Sequence, residues 1–478
     1  MATIYGANTL SSGYDVANSL RFEDGSTDYL QRTFGTSSNS KKFTWSFWIK
    51  RTRVGTSEYV FENVGSHTLQ GSILFDSSDR LQLFEDNLGA GSNTYLITNR
   101  KFRDVAAWYH IVIAVDSTQA TDTNRAKIYV NGVQETSFAT STYPSQDHAL
   151  PYISGSGDPC NIGKYDNTNG NLSGYLCEMV FKDGAQLDPT SFGEFNSNDV
   201  WIPKDLSDFD FSGTNTFFLE FKQTGTSQNS SGIGADTSGR DNHFTVNNLT
   251  AVDQSTDTCT NNYNTMNPLE NYYGAQTYTE GNLKSVSPSG NAAAPIGTIG
   301  VSNGRWYAEA KLTNQSSNQT LIGISSNYAT QTDFHLGRGA TSYGMYSNGG
   351  AYYVNNGSAN AYGTSYTTND IIGIYIDLTS NKLYFSKNGT LLNSGTGISI
   401  TAAASTEAGA YFFSGMQWDN SGTCTWEWNF GSGTTYSISS GNSDDNGYGN
   451  FEYSPNITGD STAKSFYALN TKNLAQFG

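Results

Sequence analysis

Tyrosines crowd into one loop-rich stretch of this sequence, and their spacing best suits recognition chemistry. Residues 341–366 carry six of them among Ser, Gly and Asn. Tyrosine rings provide a large contact area at low entropic cost, small polar residues provide adaptable hydrogen bonds, and aromatic faces stack on the apolar faces of sugars. The candidate ligand-binding residues here are Tyr343, Tyr346, Tyr352, Tyr353, Tyr362 and Tyr366. The alternative is that alternate tyrosines are strand residues that cover a sandwich or bury a subunit interface.

A second stretch, residues 140–157, has the same character and adds two candidates, Tyr143 and Tyr152. Its tyrosines are sparser than those of residues 341–366, so it is the weaker of the two predicted binding segments.

Two oxygen-dense turns could hold a hard cation. They are "FDSSDR", with Asp76 and Asp79, and "GADTSGRDN", with Asp236, Asp241 and Asn242. Ca²⁺ binds clusters of carboxylate and carbonyl oxygens, but neither turn has acids at the alternate positions of an EF-hand loop. The sequence therefore predicts at most one weak Ca²⁺ site and no required cofactor. The alternative is that these side chains cap their own backbone as Asx turns.

Signals for catalysis are weak. Glycan hydrolysis needs two carboxyl groups about 5 to 9 Å apart, and the sequence has no Glu-x-Asp-x-Glu run that would place several acids on one face of a strand. The five histidines are scattered and no GxSxG elbow accompanies them. His110 alternates with strand neighbours and is predicted to be a packed imidazole. We expect that the protein is not an enzyme.

Composition narrows the class of protein. The chain has 478 residues, a net charge of −17 and only 14% charged residues, with 50 Gly, 30 Tyr and 26 Phe. Such a negative charge argues against nucleic-acid binding, because phosphate contacts need Lys and Arg. No stretch approaches the ~18 apolar residues of a spanning helix, and the N-terminus has no basic start or apolar core of a signal peptide. We expect synthesis in a cytoplasm and no membrane insertion.

The four cysteines are too few and too scattered for a disulfide scaffold or a CxxC metal site. Cys160 and Cys177 are close enough in sequence to face each other across strands. The alternative is that all four are free thiols, as is usual for a chain made in a cytoplasm.

Apolar residues alternate with period two in segments broken by Gly, Asn, Asp and Ser, which predicts many short antiparallel strands. "FTWSFWIKR" at 43–51 has one apolar face, "WYHIVIAVD" at 108–116 is apolar on both faces, and "KIYVNGV" at 127–133 and "KLYFSKNG" at 382–389 end in Asn-Gly turns. The predicted fold class is all-β, with two antiparallel β-sandwich (jelly-roll) domains joined by an irregular connector.

The predicted boundaries follow from shifts in this pattern. An N-terminal arm covers residues 1–19, a first sandwich 20–195, a connector with one or two strands 196–275, a second sandwich 276–435 and a C-terminal docking tail 436–478.

Several segments, taken in order, carry family resemblances. "FTWSFWIKR", "WYHIVIAVD", "KIYVNGV", "NIGKY" and "GYLCEMVFKDGAQLDP" resemble a LamG or concanavalin A-like jelly roll over residues 20–195. "GRWYAEAKL", "LIGIS", "YGMYSNG", "DIIGIYIDLTSNKLYFSKNG" and "WEWNFG" resemble a SPRY domain over residues 300–431. The first resemblance implies that a Ca²⁺ site on a loop rim is possible, and the second implies that loops near residues 341–366 grip partners.

Three further segments, near the two termini and in the predicted connector, carry a resemblance of their own. "SLRFEDGSTDYLQRTF" at 19–34, residues 236–269 and the terminal "FYALNTKNLAQFG" resemble segments of virion proteins of tailed phages, especially marine ones. This implies a virion appendage, a tail fibre or similar, that attaches to a host-surface glycan or protein and associates with other virion proteins, as a homo-oligomer. The alternatives are a capsid decoration (head fibre) or structural adaptor protein and, third, a glycan depolymerase.

Overall fold

The structure is a computed structural model that describes residues 13–64, 69–87, 94–150, 159–165, 170–270, 276–288, 295–326, 335–348, 352–418, 422–458 and 463–478. These residues divide into a first domain, which ends at Thr260, and a second domain, which begins at Asn261. Both domains consist of mainly antiparallel sheets with short helical segments, and the predicted all-β fold class is confirmed. No helix in the described ranges is long and apolar enough to cross a membrane.

The strands of the first domain are β1 (Ser19–Phe22), β2 (Tyr29–Thr33), β3 (Lys42–Arg51), β4 (Glu58–Val64), β5 (Leu69–Phe75), β6 (Arg80–Asn87), β7 (Thr94–Lys101), β8 (Trp108–Asp116), β9 (Ala126–Val130), β10 (Val133–Gln134), β11 (Phe138–Thr142), β12 (Pro159–Ile162), β13 (Gly174–Asp183), β14 (Gly193–Phe195), β15 (Trp201–Pro203), β16 (Phe217–Leu219), β17 (Thr245–Asn247) and β18 (Gln254–Ser255). Single turns of 3-10 helix lie at Asp24–Ser26, Asp122–Asn124, Pro189–Ser191 and Ala251–Asp253.

Two sheets form the first sandwich. Sheet A has the order β10-β9-β8-β3-β13-β1-β18, with β16 also paired to β13, and sheet B has the order β11-β7-β6-β5-β4-β12-β2-β17. Alternate side chains point to opposite faces of a strand, so β3 buries one apolar row between the sheets. That row is Phe43, Trp45, Phe47 and Ile49, each 0% exposed. The predicted apolar face of "FTWSFWIKR" is thus confirmed.

The segment after residue 195 belongs largely to the first domain, which differs from the predicted connector at 196–275. β16, β17 and β18 pair with β13, β2 and β1. Phe217 and Leu219 lie in the core between the sheets, whereas Phe218 packs on the outer face of sheet A with Val112 and Ala114. Composition suggested a connector because the apolar residues of this segment are few, but Phe217, Leu219 and Phe244 enter the core between the two sheets of the first domain.

The strands of the second domain are β19 (Thr277–Thr279), β20 (Lys284–Ser287), β21 (Arg305–Gln315), β22 (Thr320–Ser325), β23 (Ser342–Tyr346), β24 (Tyr352–Asn355), β25 (Ser358–Ala361), β26 (Ile371–Asp377), β27 (Lys382–Lys387), β28 (Thr390–Leu391), β29 (Ile398–Ser399), β30 (Phe412–Gln417), β31 (Cys424–Asn429) and β32 (Tyr467–Ala468). The helical segments are 3-10 turns at Leu392–Gly395 and Ala403–Ser405 and the C-terminal helix α1 (Thr471–Phe477).

Two further sheets form the second sandwich. Sheet C has the order β19-β20-β31-β21-β26-β27-β28, and sheet D has the order β25-β24-β23-β22-β30. β29 also pairs with β27, and β32 pairs with β21 in parallel. Trp306, Trp426 and Trp428 are fully buried in the core of this domain.

The two Asn-Gly turns have the same conformation. Asn131 and Gly132 have φ of 48° and 77°, and Asn388 and Gly389 have φ of 48° and 78°. In each hairpin the two flanking residues pair directly. A two-residue type I′ turn requires positive φ at both positions, which Asn and Gly adopt with least strain. Both predicted turns are confirmed.

The C-terminal segment packs on its own domain. Phe451, Ile457 and Phe466 form a buried cluster with Tyr307 and Tyr375, which belong to the central strands β21 and β26 of sheet C. The carboxylate of Glu309 on β21 holds the same segment in place. It accepts hydrogen bonds from the Tyr436 hydroxyl (3.1 Å) and the backbone amides of Glu452 (2.7 Å) and Tyr453 (3.2 Å).

All four cysteines are free thiols, as the alternative interpretation of the sequence expects. Cys160 lies on β12 of sheet B, with the Asn63 amide 3.2 Å from its sulfur, whereas Cys177 lies on β13 of sheet A. Cys160 and Cys177 therefore do not face each other. The sulfur nearest to Cys177 in the described chain is that of Cys259, 3.7 Å away.

Candidate functional site

Four of the predicted binding tyrosines are core residues. Their exposed fractions are 3–5%, and they are Tyr343, Tyr346, Tyr362 and Tyr366. Tyr366 shows the reason, because its hydroxyl donates to the backbone carbonyls of Thr320 (2.9 Å) and Met345 (3.0 Å) and so braces the interior. Rings buried in this way cannot stack on a ligand at the surface. This placement corrects the expectation and matches the alternative that alternate tyrosines complete the sandwich.

The other predicted tyrosines lie elsewhere. Tyr353 on β24 and Tyr143 after β11 are half-buried and pack against the cores of their own domains. Tyr152 and the side chain of Tyr352 lie outside the described residues. The structure therefore brings none of these described rings together into an exposed tyrosine platform.

The carboxylates of the first predicted metal turn bind protein groups. Asp76 accepts from the backbone amides of Ser78 and Arg80, both at 2.9 Å, which is the geometry of an Asx turn. Asp79 accepts from the guanidinium groups of Arg51 (3.1 Å) and Arg103 (2.7 Å).

The Asp236 and Asn242 side chains of the second predicted metal-binding turn also bind protein groups. Asp236 accepts from the amides of Phe218 and Asn242, each at 2.9 Å, and Asn242 donates to the Thr216 carbonyl at 2.6 Å. Asp241 is exposed and lies 3.6 Å from His243. The part of the chain that the structure describes contains no cluster of three or more His, Cys, Asp or Glu side chains arranged to hold a metal. Ca²⁺ binding stays a prediction that the structure does not test.

His110 is a packed imidazole, as predicted. Its Nδ1 accepts a hydrogen bond of 2.9 Å from the Trp201 indole, and its Nε2 lies 2.9 Å from the Ser46 hydroxyl. Burial lowers the pKa of His110 to about 3, so the ring is neutral at physiological pH.

A different surface has the composition of a recognition site. It lies on the outward side of sheet B, and we call it the aromatic–amide face. Its residues come from β2, β4, β12 and the loop after β12, and they are Tyr29, Gln31, Tyr59, Glu62, Asn161, Lys164 and Tyr165.

Strand alternation positions the polar row of this face. Leu30, Phe61 and Ile162 point into the core between the sheets, so the neighbours Gln31, Glu62 and Asn161 point outward. In the register of the sheet Asn161 is paired with Gln31 on one side and Glu62 on the other. The Gln31 amide donates to the Asn161 side-chain oxygen at 2.9 Å. Three polar side chains from distant segments therefore form one continuous row.

Aromatic rings flank this row. Tyr59 and Tyr165 stack with centroids 4.4 Å apart and planes 28° apart. The Tyr59 amide donates to the Gly170 carbonyl at 2.9 Å. Gly170 has φ of 104°, and a Cβ there would lie 3.2 Å from the Tyr59 ring, so glycine allows the loop to close on the stack. The Lys164 ammonium lies 4.3 Å from the centroid of the Tyr29 ring.

One hydroxyl group of this face, that of Tyr59, is held in its neutral form. Burial raises the pKa of Tyr59 to about 12, with smaller contributions from Tyr165 and Glu62, so its hydroxyl stays protonated at physiological pH. The side chains of Glu62 and Asn161 are buried, whereas Tyr59, Tyr165 and Lys164 are half-buried. The arrangement offers the half-buried rings of Tyr59 and Tyr165 beside the half-buried amide of Gln31, and these groups can bind a planar or ring-shaped polar ligand.

Sequence reasoning missed this face. "NIGKY" at 161–165 served only as one motif of a family resemblance, and the alternation in "YLQRT" marks Tyr29 and Gln31 as outward residues. Tyr59 and Glu62 are three positions apart and share the outward face only because β4 has a bulge between Tyr59 and Phe61. What the sequence lacks is the pairing of β12 with both β2 and β4, which joins these segments.

Comparisons with known proteins agree with the two-domain architecture. Residues 24–185 match the model of the concanavalin A-like lectin/glucanases superfamily, and residues 305–442 match the SPRY domain model. No curated protein matches the chain.

Solved structures with similarity to the chain include a pentraxin and two SPRY domains. A native heptameric SAP-like pentraxin from Limulus polyphemus has 17% identity and a TM-score of 0.29, over 40% of this chain and 94% of that chain. The SPRY domain of human HERC1 has 15% identity and a TM-score of 0.28, over 34% of this chain and 96% of that chain. The TRIM65 PSpry domain has 15% identity and a TM-score of 0.27, over 34% of this chain and 88% of that chain. The two family matches show that the chain contains a concanavalin A-like domain followed by a SPRY domain.

Proposed function

We propose that this chain is a non-enzymatic bacteriophage virion protein, a tail fibre or similar appendage, that attaches to a host-surface glycan or protein through its two β-sandwich modules. The binding role is supported by the match of residues 24–185 to a superfamily that includes lectins. The observation that carries it is the aromatic–amide face of that domain. The virion role is supported by the resemblance of residues 19–34, 236–269 and the C-terminus to tailed-phage virion proteins.

On this proposal the aromatic–amide face contacts a glycan. The stacked Tyr59 and Tyr165 rings present an apolar surface to the C–H face of a sugar ring. The half-buried Gln31 is placed to exchange hydrogen bonds with sugar hydroxyls, because its amide offers both donors and acceptors. The buried Asn161 and Glu62 side chains support Gln31 from the neighbouring strands. One such face gives modest affinity, and assembly into a homo-oligomer raises avidity without any new contact.

Removing the two rings of the stack is expected to weaken glycan binding. We expect the double variant Y59A/Y165A of the full chain to bind its glycan at least tenfold more weakly, because each aromatic contact is worth about 0.5–1.5 kcal/mol beyond its buried area. A glycan array identifies the ligand, and calorimetry on the best hit gives the affinity.

The matched control is Y143A, which removes a half-buried tyrosine of the same domain outside the aromatic–amide face. Its affinity should equal that of the wild type, and the melting curve of each variant reports folding. Equal affinity of Y59A/Y165A and wild type would show that the glycan binds elsewhere. An array with no bound glycan, together with retained binding to whole host cells, would point to a protein receptor.

The proposed location has its own test. The partners on this proposal are other virion proteins and the host surface, and the protein resides in the virion after synthesis in the host cytoplasm. Immunogold electron microscopy of purified particles should place the label on the tail. Label spread over the capsid shell would favour the decoration alternative, and particles without label would contradict a virion role.

A further inference from the structure

Two cysteines of the first domain lie in contact. The sulfur of Cys177, on β13, is 3.7 Å from the sulfur of Cys259, which lies four residues after β18. Cys177 is 0% exposed and Cys259 is half-buried. They sit in an apolar cluster on the outer face of sheet A with Val16, Trp48, Trp108, Tyr175 and Trp201.

The segment that carries Cys259 is anchored independently on both sides. The Asp257 carboxylate pairs with the Lys50 ammonium at 2.8 Å, and both side chains are 0% exposed. The Thr260 hydroxyl accepts from the Val16 amide at 3.1 Å, and Asp253 pairs with Arg21 at 2.9 Å. The closeness of the two sulfurs therefore follows from the placement of two backbone segments rather than from side-chain flexibility alone.

We propose that Cys177 and Cys259 form an oxidation site, which a small-molecule disulfide such as oxidised glutathione converts into an intramolecular disulfide. This goes beyond the proposed binding function and does not depend on it. Cys259 is the more exposed of the two residues, so we assign the first exchange with the small molecule to its sulfur and the resolution of the mixed disulfide to Cys177.

The exchange balances in two steps. The Cys259 thiol gives up its proton and its sulfur attacks one sulfur of oxidised glutathione, which releases one glutathione thiolate. Cys177 then loses its proton, and its sulfur attacks the Cys259 sulfur and displaces the second glutathione thiolate. The two protein thiols are oxidised, and the oxidant leaves as two reduced glutathione molecules after the thiolates take up the two protons.

The reaction is expected to be slow but specific. Burial, with smaller contributions from Cys177 and Glu178, raises the pKa of the Cys259 thiol, so little thiolate is present near neutrality. Cys160 lies inside the core on β12, and Cys424 belongs to the second domain. The cross-link would span 82 residues, and a loop of that size is expected to raise the melting temperature of the first domain by about 10 °C.

Peptide mapping of the full-length wild-type chain tests the proposal. The chain is incubated with oxidised glutathione, blocked with iodoacetamide and digested with trypsin without reductant. Cys177 and Cys259 lie in tryptic peptides 165–182 and 241–284. We expect these two peptides as one cross-linked species with a mass two hydrogens below their sum, and its loss after reduction. The variant C160S should form the same species, and C259S should not.

Three results would overturn the proposal. They are a folded wild-type chain in which both cysteines remain alkylatable after prolonged oxidation, a glutathione adduct on Cys259 that never resolves, or a cross-link from Cys177 to Cys160. The wild-type mapping needs no variant, so misfolding of C259S cannot obscure the result. Calorimetry of the oxidised and reduced wild type completes the test, because a true cross-link also shifts the first-domain transition upward.

Discussion

Replacing Asp257 with alanine is expected to destabilise the first domain by about 3–5 kcal/mol, because the change leaves a buried lysine without its carboxylate. Lys50 and Asp257 are both 0% exposed and pair at 2.8 Å. The other Asp257 oxygen accepts from the Trp108 indole at 3.2 Å. The variant therefore removes one charge and one hydrogen-bond acceptor from a site that water does not reach.

Urea unfolding followed by hydrogen exchange measures this effect, because amides of β3 and β8 report on the first domain alone. The matched control is K41M, which breaks the pair of Lys41 and Asp147, whose side chains are 37% and 61% exposed, and leaves Asp147 in place at its positive φ of 63°. An exposed pair is worth about 0–1 kcal/mol, so the control should shift unfolding little. The double variant K50M/D257L should recover most of the loss, since it removes both charges. Equal shifts for D257A and K41M would contradict the interpretation.

Glu178 is expected to make the first domain less stable as the pH rises. Burial, with the nearby charge of Glu220, raises its pKa from 4.5 to about 8, whereas Lys222 and a hydrogen bond from Tyr14 act in the opposite direction. Glu178 has φ of 48° and lies in the β-bulge of β13. The bulge places its carboxyl group in a buried site rather than in solvent.

The sign follows from proton binding. Between pH 4.5 and about 8 the folded chain keeps a proton on Glu178 that the unfolded chain has released, so the free energy of unfolding falls as the pH rises through this window. The full contribution is roughly 5 kcal/mol as an upper limit. It is present below pH 4.5 and lost by about pH 8.

The variant E178Q tests this pH dependence, since an uncharged amide cannot titrate. Denaturation midpoints of the first domain, measured from pH 4.5 to 8.5, should fall steeply for the wild type and much less for E178Q. The control E194Q changes an exposed glutamate on β14 and should keep the wild-type slope. Parallel slopes for wild type and E178Q would show that other groups carry the pH dependence.

Local chemistry explains which parts of the fold could be predicted. The apolar face of β3 and the conformation of the turns at Asn131-Gly132 and Asn388-Gly389 depend on a few adjacent residues. Period-two alternation and the positive φ of Asn-Gly turns are properties of the strand and turn themselves. Prediction therefore succeeded for the strands, the hairpins and the all-β class.

The candidate site could not be predicted because it depends on pairing across distance. Tyr366 looks like a loop residue in sequence, but its hydroxyl bonds to Thr320 and Met345 inside the core. Gln31 and Asn161 are 130 positions apart and meet only because β2 pairs with β12. A segment rich in tyrosine contains rings that could bind a ligand. The sequence does not show which of these rings are buried between the two sheets of the sandwich.

The sequence by itself determined the class of fold, the presence of two sandwiches and the turn chemistry, because these follow from residue types and their local period. Only the tertiary structure decided the partner of each strand, the packing of residues 196–260 on the first domain and the contact of Cys177 with Cys259. Strand pairing depends on residues that are distant in the sequence. The strands that pair with an alternating segment therefore decide whether its polar side chains are exposed or buried.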